Sequence, residues 1–178
     1  KKEYIKSISK WKSYCTNTLK EFPHLEKIAH KDKKGFINSY NFLEKFSSEL
    51  HKNDCVVTDM GTALLSGHQI MKFNGKQKMI TSQGLGEMGF GLPGVIGAYF
   101  ADKAKLPICI SGDGGLMFNL QELQTVINYK IPLKLFIINN GVYLTMKLMQ
   151  QTNFKKFIVS DNQLSLIKIS KPKKRQPT

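Results

Sequence analysis

The stretch that most constrains this chain runs from Cys109 to Asn140. It begins Cys-Ile-Ser-Gly-Asp-Gly-Gly at 109–115 and ends Leu-Phe-Ile-Ile-Asn-Asn at 135–140. Each is a short apolar run that stops in small or polar residues, the pattern of a buried strand. Between them Leu116, Leu120, Leu123, Val126 and Ile127 recur at threes and fours, which predicts one helical face. Tyr129-Lys130 and then Pro132 end it. Strand, helix and strand over this length form a βαβ unit, so both strands belong in one parallel sheet, with a right-handed crossover.

That topology brings two polar side chains together. Asp113 lies just past the carboxyl end of the first strand and Asn140 just past that of the second. If the two strands are neighbours they sit ~4.8 Å apart. A carboxylate and an amide oxygen then converge in the crevice where open α/β sheets take ligands, and both suit a hard divalent cation. Gly112, Gly114 and Gly115 let the backbone bend and approach a ligand closely, and their N–H groups at a helix start suit a phosphate. Gly-Asp-Gly and Asn-Asn-Gly are also ordinary turn sequences, and neither alone specifies a site.

The spacing is more specific. Gly-Asp-Gly at 112–114, then 24 residues, then Asn139-Asn140 resembles the fingerprint of thiamine-diphosphate-dependent enzymes. The resemblance implies Mg2+ held by Asp113, Asn140 and the carbonyl of Val142, anchoring the cofactor diphosphate. A second string, Met-Gly-Phe-Gly-Leu-Pro at 88–93, resembles the acetolactate-synthase branch of that family. It implies that the carbonyl of Gly86 bonds the cofactor's 4′-amino group and that Met88 props the cofactor in its bent form. Ordinary core packing is the alternative for Met88. Asp59-Met60-Gly61-Thr62 follows a strand directly, and the resemblance puts Gly61 and Thr62 beside the diphosphate. A plain strand-to-helix turn capped by Thr62 explains those residues equally well. Residues 141–154 resemble the lid-like segment after the Asn-Asn pair, which adds Tyr143 to the cofactor contacts.

Elsewhere the pattern is simpler. Ile5, Ile8, Trp11, Cys15, Leu19 and Phe22 predict a helix over 4–22, closed by Pro23. A loop at 31–35 precedes a second helix carrying Ile37, Tyr40, Leu43, Phe46 and Leu50, capped by Asn38 or Ser39. Residues 55–58 read as a short strand, 79–83 as a short strand or extended segment, and the small apolar segment after residue 91 as a buried helix. Cys15, Cys55 and Cys109 have no metal spacing, and Cys55 and Cys109 fall inside strands as small buried residues. The thiol count suits a reducing, cytoplasmic compartment. No apolar run approaches the ~18 residues of a membrane span, and no signal-type segment follows Lys1.

The formal charge of +14 suggests nucleic acid until it is located. Residues 1–34 carry ten lysines against four acidic residues, and 155–178 carry seven basic residues against Asp161. The middle is nearly balanced. The excess therefore lies in the ends, with at most weak, nonspecific attraction to polyanions.

The expected organisation is a basic helical lead-in at 1–34, a thiamine diphosphate-binding domain at 35–160 and a basic, disordered tail at 161–178. The fold class is α/β, a mostly parallel sheet with helices on both faces, truncated at its carboxyl end relative to a whole family domain. The implied function is binding of thiamine diphosphate through Mg2+, as the diphosphate-binding part of an acetolactate-synthase-like 2-keto acid lyase or carboligase. The resemblance covers about residues 36–159. It reaches neither the pyrimidine-binding domain with its catalytic glutamate nor the central domain, so no catalytic residue and no FAD site are expected here. A second copy, or a chain carrying the pyrimidine-binding domain, is the expected partner. The competing readings are a catalytically inactive module of the same fold and a generic dinucleotide-binding domain. The second rests on Gly84, Gly86 and Gly89, but no acidic residue stands where a ribose would need it.

Overall fold

In a computed structural model, residues 2–25, 31–103 and 105–156 are described. They fall into two compact units, residues 1–49 with 66–72 and residues 50–65 with 73–178. The expected tail at 161–178 lies outside the described residues.

The first unit contains α1 (Lys2–Glu21) and α2 (Ser39–Ser48). Asn38 caps α2, its side-chain oxygen accepting from the Tyr40 N–H at 2.9 Å. Leu43 and Phe46 are the buried residues of α2. Ile37 and Leu50 lie outside the helix, so the apolar face is shorter than the sequence pattern suggests. On α1 the apolar residues Ile8, Trp11 and Leu19 stand exposed, as does Phe22 just beyond it.

The second unit is built on four parallel strands: β1 (Cys55–Thr58), β2 (Lys78–Thr81), β3 (Pro107–Gly112) and β4 (Lys134–Ile138). Their order is β2-β1-β3-β4. The central pair is nearly continuous in apolar residues, as a strand covered on both faces must be. Val56, Val57, Cys109 and Ile110 are all fully buried. The edge strands β2 and β4 are half-buried and each opens with an exposed lysine, Lys78 or Lys134, which discourages edge pairing.

Helices surround this sheet. α4 (Gly91–Ala101) packs Leu92, Val95 and Ile96 into a cluster with Val57, Cys109, Leu116 and Ile131. Side chains of this size each contribute roughly 1.5–3 kcal/mol when fully buried. The crossover from β3 to β4 is not the single helix expected. It breaks into α5 (Asp113–Met117), a 3-10 turn (Leu120–Glu122) and α6 (Leu123–Asn128). Leu116 is buried, and Leu120, Leu123 and Val126 pack on the core, but Ile127 is exposed. The first helical stretch stops after Met117, and Phe118 and Asn119 lead into the 3-10 turn.

Strand order reverses between β1 and β3. β1 leads through α3 (Thr62–Ile70) to β2 on one side, and β3 leads to β4 on the other. The carboxyl ends of β1 and β3 therefore flank the crevice where open parallel sheets bind ligands.

Burial and the neighbouring Asp59 carboxylate push the Cys109 thiol up to about 12. A thiol raised in the folded chain favours folding below the unfolded value, near pH ~8.5, and loses that contribution as pH rises above it. Native chain treated with iodoacetamide at pH 8.5 should modify Cys15 and spare Cys109, with Cys109 reacting only after denaturation. Equal labelling of Cys109 in both states would contradict its place in the core.

Candidate active-site cleft

Three segments meet at the carboxyl ends of β1, β3 and β4. After β1 come Met60, Gly61 and Thr62, where α3 begins. After β3 come Gly112–Gly115, the opening of α5. After β4 come Asn140, Val142 and Tyr143, followed by Leu144, Thr145 and Met146 at the start of α7 (Leu144–Phe154). These residues, with Met88 and Ile138, line one cleft of about 80 Å³.

The turn after β3 is closed onto the turn after β4. The Gly141 N–H donates to Asp113 Oδ2 at 2.9 Å. The Tyr143 ring packs against Gly114, so close that a Cβ there would fall 2.4 Å from Tyr143 Cε1. Asn140 Oδ1 accepts from the Val142 N–H at 3.1 Å, which folds 140–142 into a tight turn. These contacts place the Asp113 carboxyl, the Asn140 amide and the Val142 backbone at one wall of the cleft.

The donor set is all oxygen: one carboxylate, one amide and main-chain carbonyls. That set suits Mg2+ or Ca2+ rather than a softer metal. Among the described residues no three His, Cys, Asp or Glu side chains come together, so a cage of the zinc type is not built there. The opening turns of α3 and α5 both border the cleft, and the first N–H groups of a helix have no intrahelical partner. Between them an anionic group meets two sets of donors. The residues present therefore fit a metal–diphosphate pair.

Most residues singled out in the sequence line this cleft: Gly61, Thr62, Met88, Gly112, Asp113, Gly114, Gly115, Asn140, Val142 and Tyr143. Gly86 does not. It borders a smaller recess with Thr58, Met60, Thr81 and Glu87. Its φ of +66° is a left-handed value, and the Met60 side chain packs where a Cβ would project. The turn holding it is closed by the Gly86 N–H on Ser82 O at 2.7 Å and by a hydrogen bond from Ser82 Oγ to Glu87 Oε2. That bond holds the Glu87 carboxyl below its usual range.

Sequence reasoning missed Asp59. It is buried, and its carboxylate accepts from Met60 N–H at 2.7 Å, Gly89 N–H at 2.9 Å and Ser111 Oγ at 2.8 Å. A Cβ on Gly115 would fall 2.7 Å from Asp59 Oδ2, so only glycine lets α5 approach it. Asp59 thus ties the end of β1 to the glycine-rich loop and to the end of β3. Its only sequence signal was an acidic residue directly after the short strand Cys-Val-Val-Thr. The adjoining turn residues drew the attention instead.

The family described as thiamine pyrophosphate enzyme, C-terminal TPP binding domain, matches residues 59–172. The acetolactate synthase large subunit of Porphyra purpurea is 35% identical over 139 residues, 78% of this chain and 22% of that protein. The acetolactate synthase isozyme 2 large subunit of Escherichia coli (strain K12) is 43% identical over 99 residues, 55% of this chain and 18% of that protein. A probable acetolactate synthase large subunit of Methanococcus aeolicus is 41% identical over 91 residues. The chain spans about a fifth of the length of these curated relatives.

Removing the Asp59 carboxylate strands the Gly89 N–H in a buried place and takes from the Ser111 hydroxyl one of its two acceptors, the other being Gly112 O at 3.1 Å. Asp59→Ala should lower folding stability by about 3 kcal/mol, since each hydrogen bond to a buried charge contributes roughly 1.5–3 kcal/mol. Urea denaturation measures this. A loss under about 1 kcal/mol would mean that the three segments hold together without it.

Proposed function

Because this chain belongs to the thiamine pyrophosphate enzyme family through its C-terminal TPP binding domain, we propose that it binds thiamine diphosphate through Mg2+ as the diphosphate half of an acetolactate-synthase-like enzyme. The observation that carries the reading is the shared cleft. Asp113, Asn140 and Val142, the oxygen donors expected for the metal, line it together with Gly61, Thr62 and Gly112–Gly115.

In this reading Asp113, Asn140 and the Val142 carbonyl hold the metal, and the opening turns of α3 and α5 hold the phosphates. Met88, also on the cleft wall, supports the bend between the cofactor's two rings. The Gly86 carbonyl, fixed by the Ser82–Gly86 turn, accepts the 4′-amino group. Once bound, the cofactor supplies the carbon nucleophile that attacks a 2-keto acid.

A cleft of about 80 Å³ is far below the ~300 Å³ at which ligand pockets usually begin, so these residues enclose only one end of such a cofactor. The cofactor's pyrimidine end is covered by a chain carrying the pyrimidine-binding domain, which brings the carboxylate that acts on it. Two exposed apolar residues that line the cleft, Leu144 and Met146, fit such a cover. The alternative of an inactive module finds no support in the relatives matched.

Calorimetry tests the metal's role. The chain should bind thiamine diphosphate only with Mg2+ present, and Asp113→Ala should weaken that binding by at least about a hundredfold, the upper range for removing a ligand-bound charge. Undiminished binding in the variant would overturn the assignment.

A further inference from the structure

A second cavity, of about 370 Å³, lies at the opposite end of the sheet from the cleft. It is lined by Asn53, Lys76, Lys78, Asp102 and Lys105. The sheet itself assembles this group. Lys78, Cys55 and Pro107 are register partners across β2, β1 and β3. Two residues before each of them stand Lys76, Asn53 and Lys105. The two outer lysines and the amide thus come from the turns that lead into three adjacent strands, with the amide on the middle one.

Three ammonium groups face one carboxylate. Lys105 Nζ is 3.4 Å from Asp102 Oδ2, and its side chain is only 16% exposed. The group therefore keeps a positive excess after that pairing. Lys105 and Lys78 both act on the Cys55 thiol in favour of its ionised form, although burial dominates and pushes it up. The two ammonium groups thus bear on one region of the sheet edge.

The frame is held in place before any ligand arrives. The Gln77 side-chain amide donates to Leu50 O at 3.2 Å and His51 O at 3.0 Å, and its oxygen accepts from the Asn74 N–H at 2.7 Å. The Asp54 carboxylate accepts from the His51 N–H at 2.8 Å. These bonds tie the turn carrying Lys76 to the turn carrying Asn53, so less ordering is left for binding.

We propose that this cavity binds a small phosphorylated ligand, a phosphate ester or diphosphate, with the three lysines neutralising the oxyanion and the Asn53 amide donating to it. Lysine serves as a point charge for phosphate. The site uses none of the cleft residues and stands independently of the cofactor reading.

The probe is inorganic pyrophosphate, titrated calorimetrically into the 178-residue chain at low ionic strength without Mg2+. Binding should persist in Asp113→Ala and weaken by about tenfold or more in the Lys76→Gln/Lys78→Gln double variant. Lys10→Gln/Lys12→Gln on α1 should leave it unchanged. No binding by the unaltered chain, or equal affinity in the Lys76/Lys78 variant, overturns the proposal. So does loss on Asp113→Ala, which would place the ligand in the cleft, or equal loss in the α1 variant, which would reduce the effect to diffuse attraction.

Discussion

The Asp59 carboxylate is the interaction on which the cleft depends. It sits at the end of a strand whose four residues are all buried. A charge there is tolerable only because three donors converge on it. Those donors belong to three separate pieces of chain: its own turn, the glycine-rich loop and the end of β3. Satisfying one buried charge thereby fixes the relative positions of the backbone segments that a diphosphate and a pyrimidine ring would touch. The close fit of Gly115 against the same carboxylate shows why small residues follow Asp113. Bulk at Gly115 would push α5 away from Asp59.

The second constraint is topological. β1 and β3 are neighbours whose chains leave in opposite directions, so their carboxyl ends open a crevice without any special loop. β4 adds the third wall because it pairs directly beside β3. The Gly141 N–H on Asp113 and the Tyr143 ring on Gly114 then close the wall. The cleft is small, and its apolar rim is exposed. A half-built site and an uncovered rim are two aspects of one arrangement, and both are met if another chain closes over it.

Much of this was legible in the residues. Apolar runs of four to six residues bounded by Gly, Asp or Asn gave the strands nearly to the residue, because buried parallel strands have few other sequence solutions. Spacing placed Asp113 and Asn140 at the ends of two parallel strands, and the sheet order makes those strands neighbours. The crossover helix was over-read. Five apolar residues at helical spacing suggested one face, but the helix stops after Met117 and resumes only through the 3-10 turn at Leu120–Glu122, and Ile127 stands exposed. Asp59 was not legible as a hub, since its partners are 30 and 52 residues away and two of its three bonds come from backbone N–H groups that carry no side-chain signature. Nor did the pattern show that α1 leaves Trp11 and Phe22 exposed, because periodicity identifies an apolar face but not what covers it.

In the proposed arrangement a diphosphate, held by a metal on Asp113 and Asn140, occupies the crevice between β1 and β3. A crystal structure of the chain grown with thiamine diphosphate and Mg2+ decides this. The two phosphorus atoms should lie between Gly61–Thr62 and Gly112–Gly115, with the metal coordinated by Asp113, Asn140 and the Val142 carbonyl. Diphosphate density confined to the lysine-lined cavity at the opposite end of the sheet, with the cleft holding only water, would contradict it.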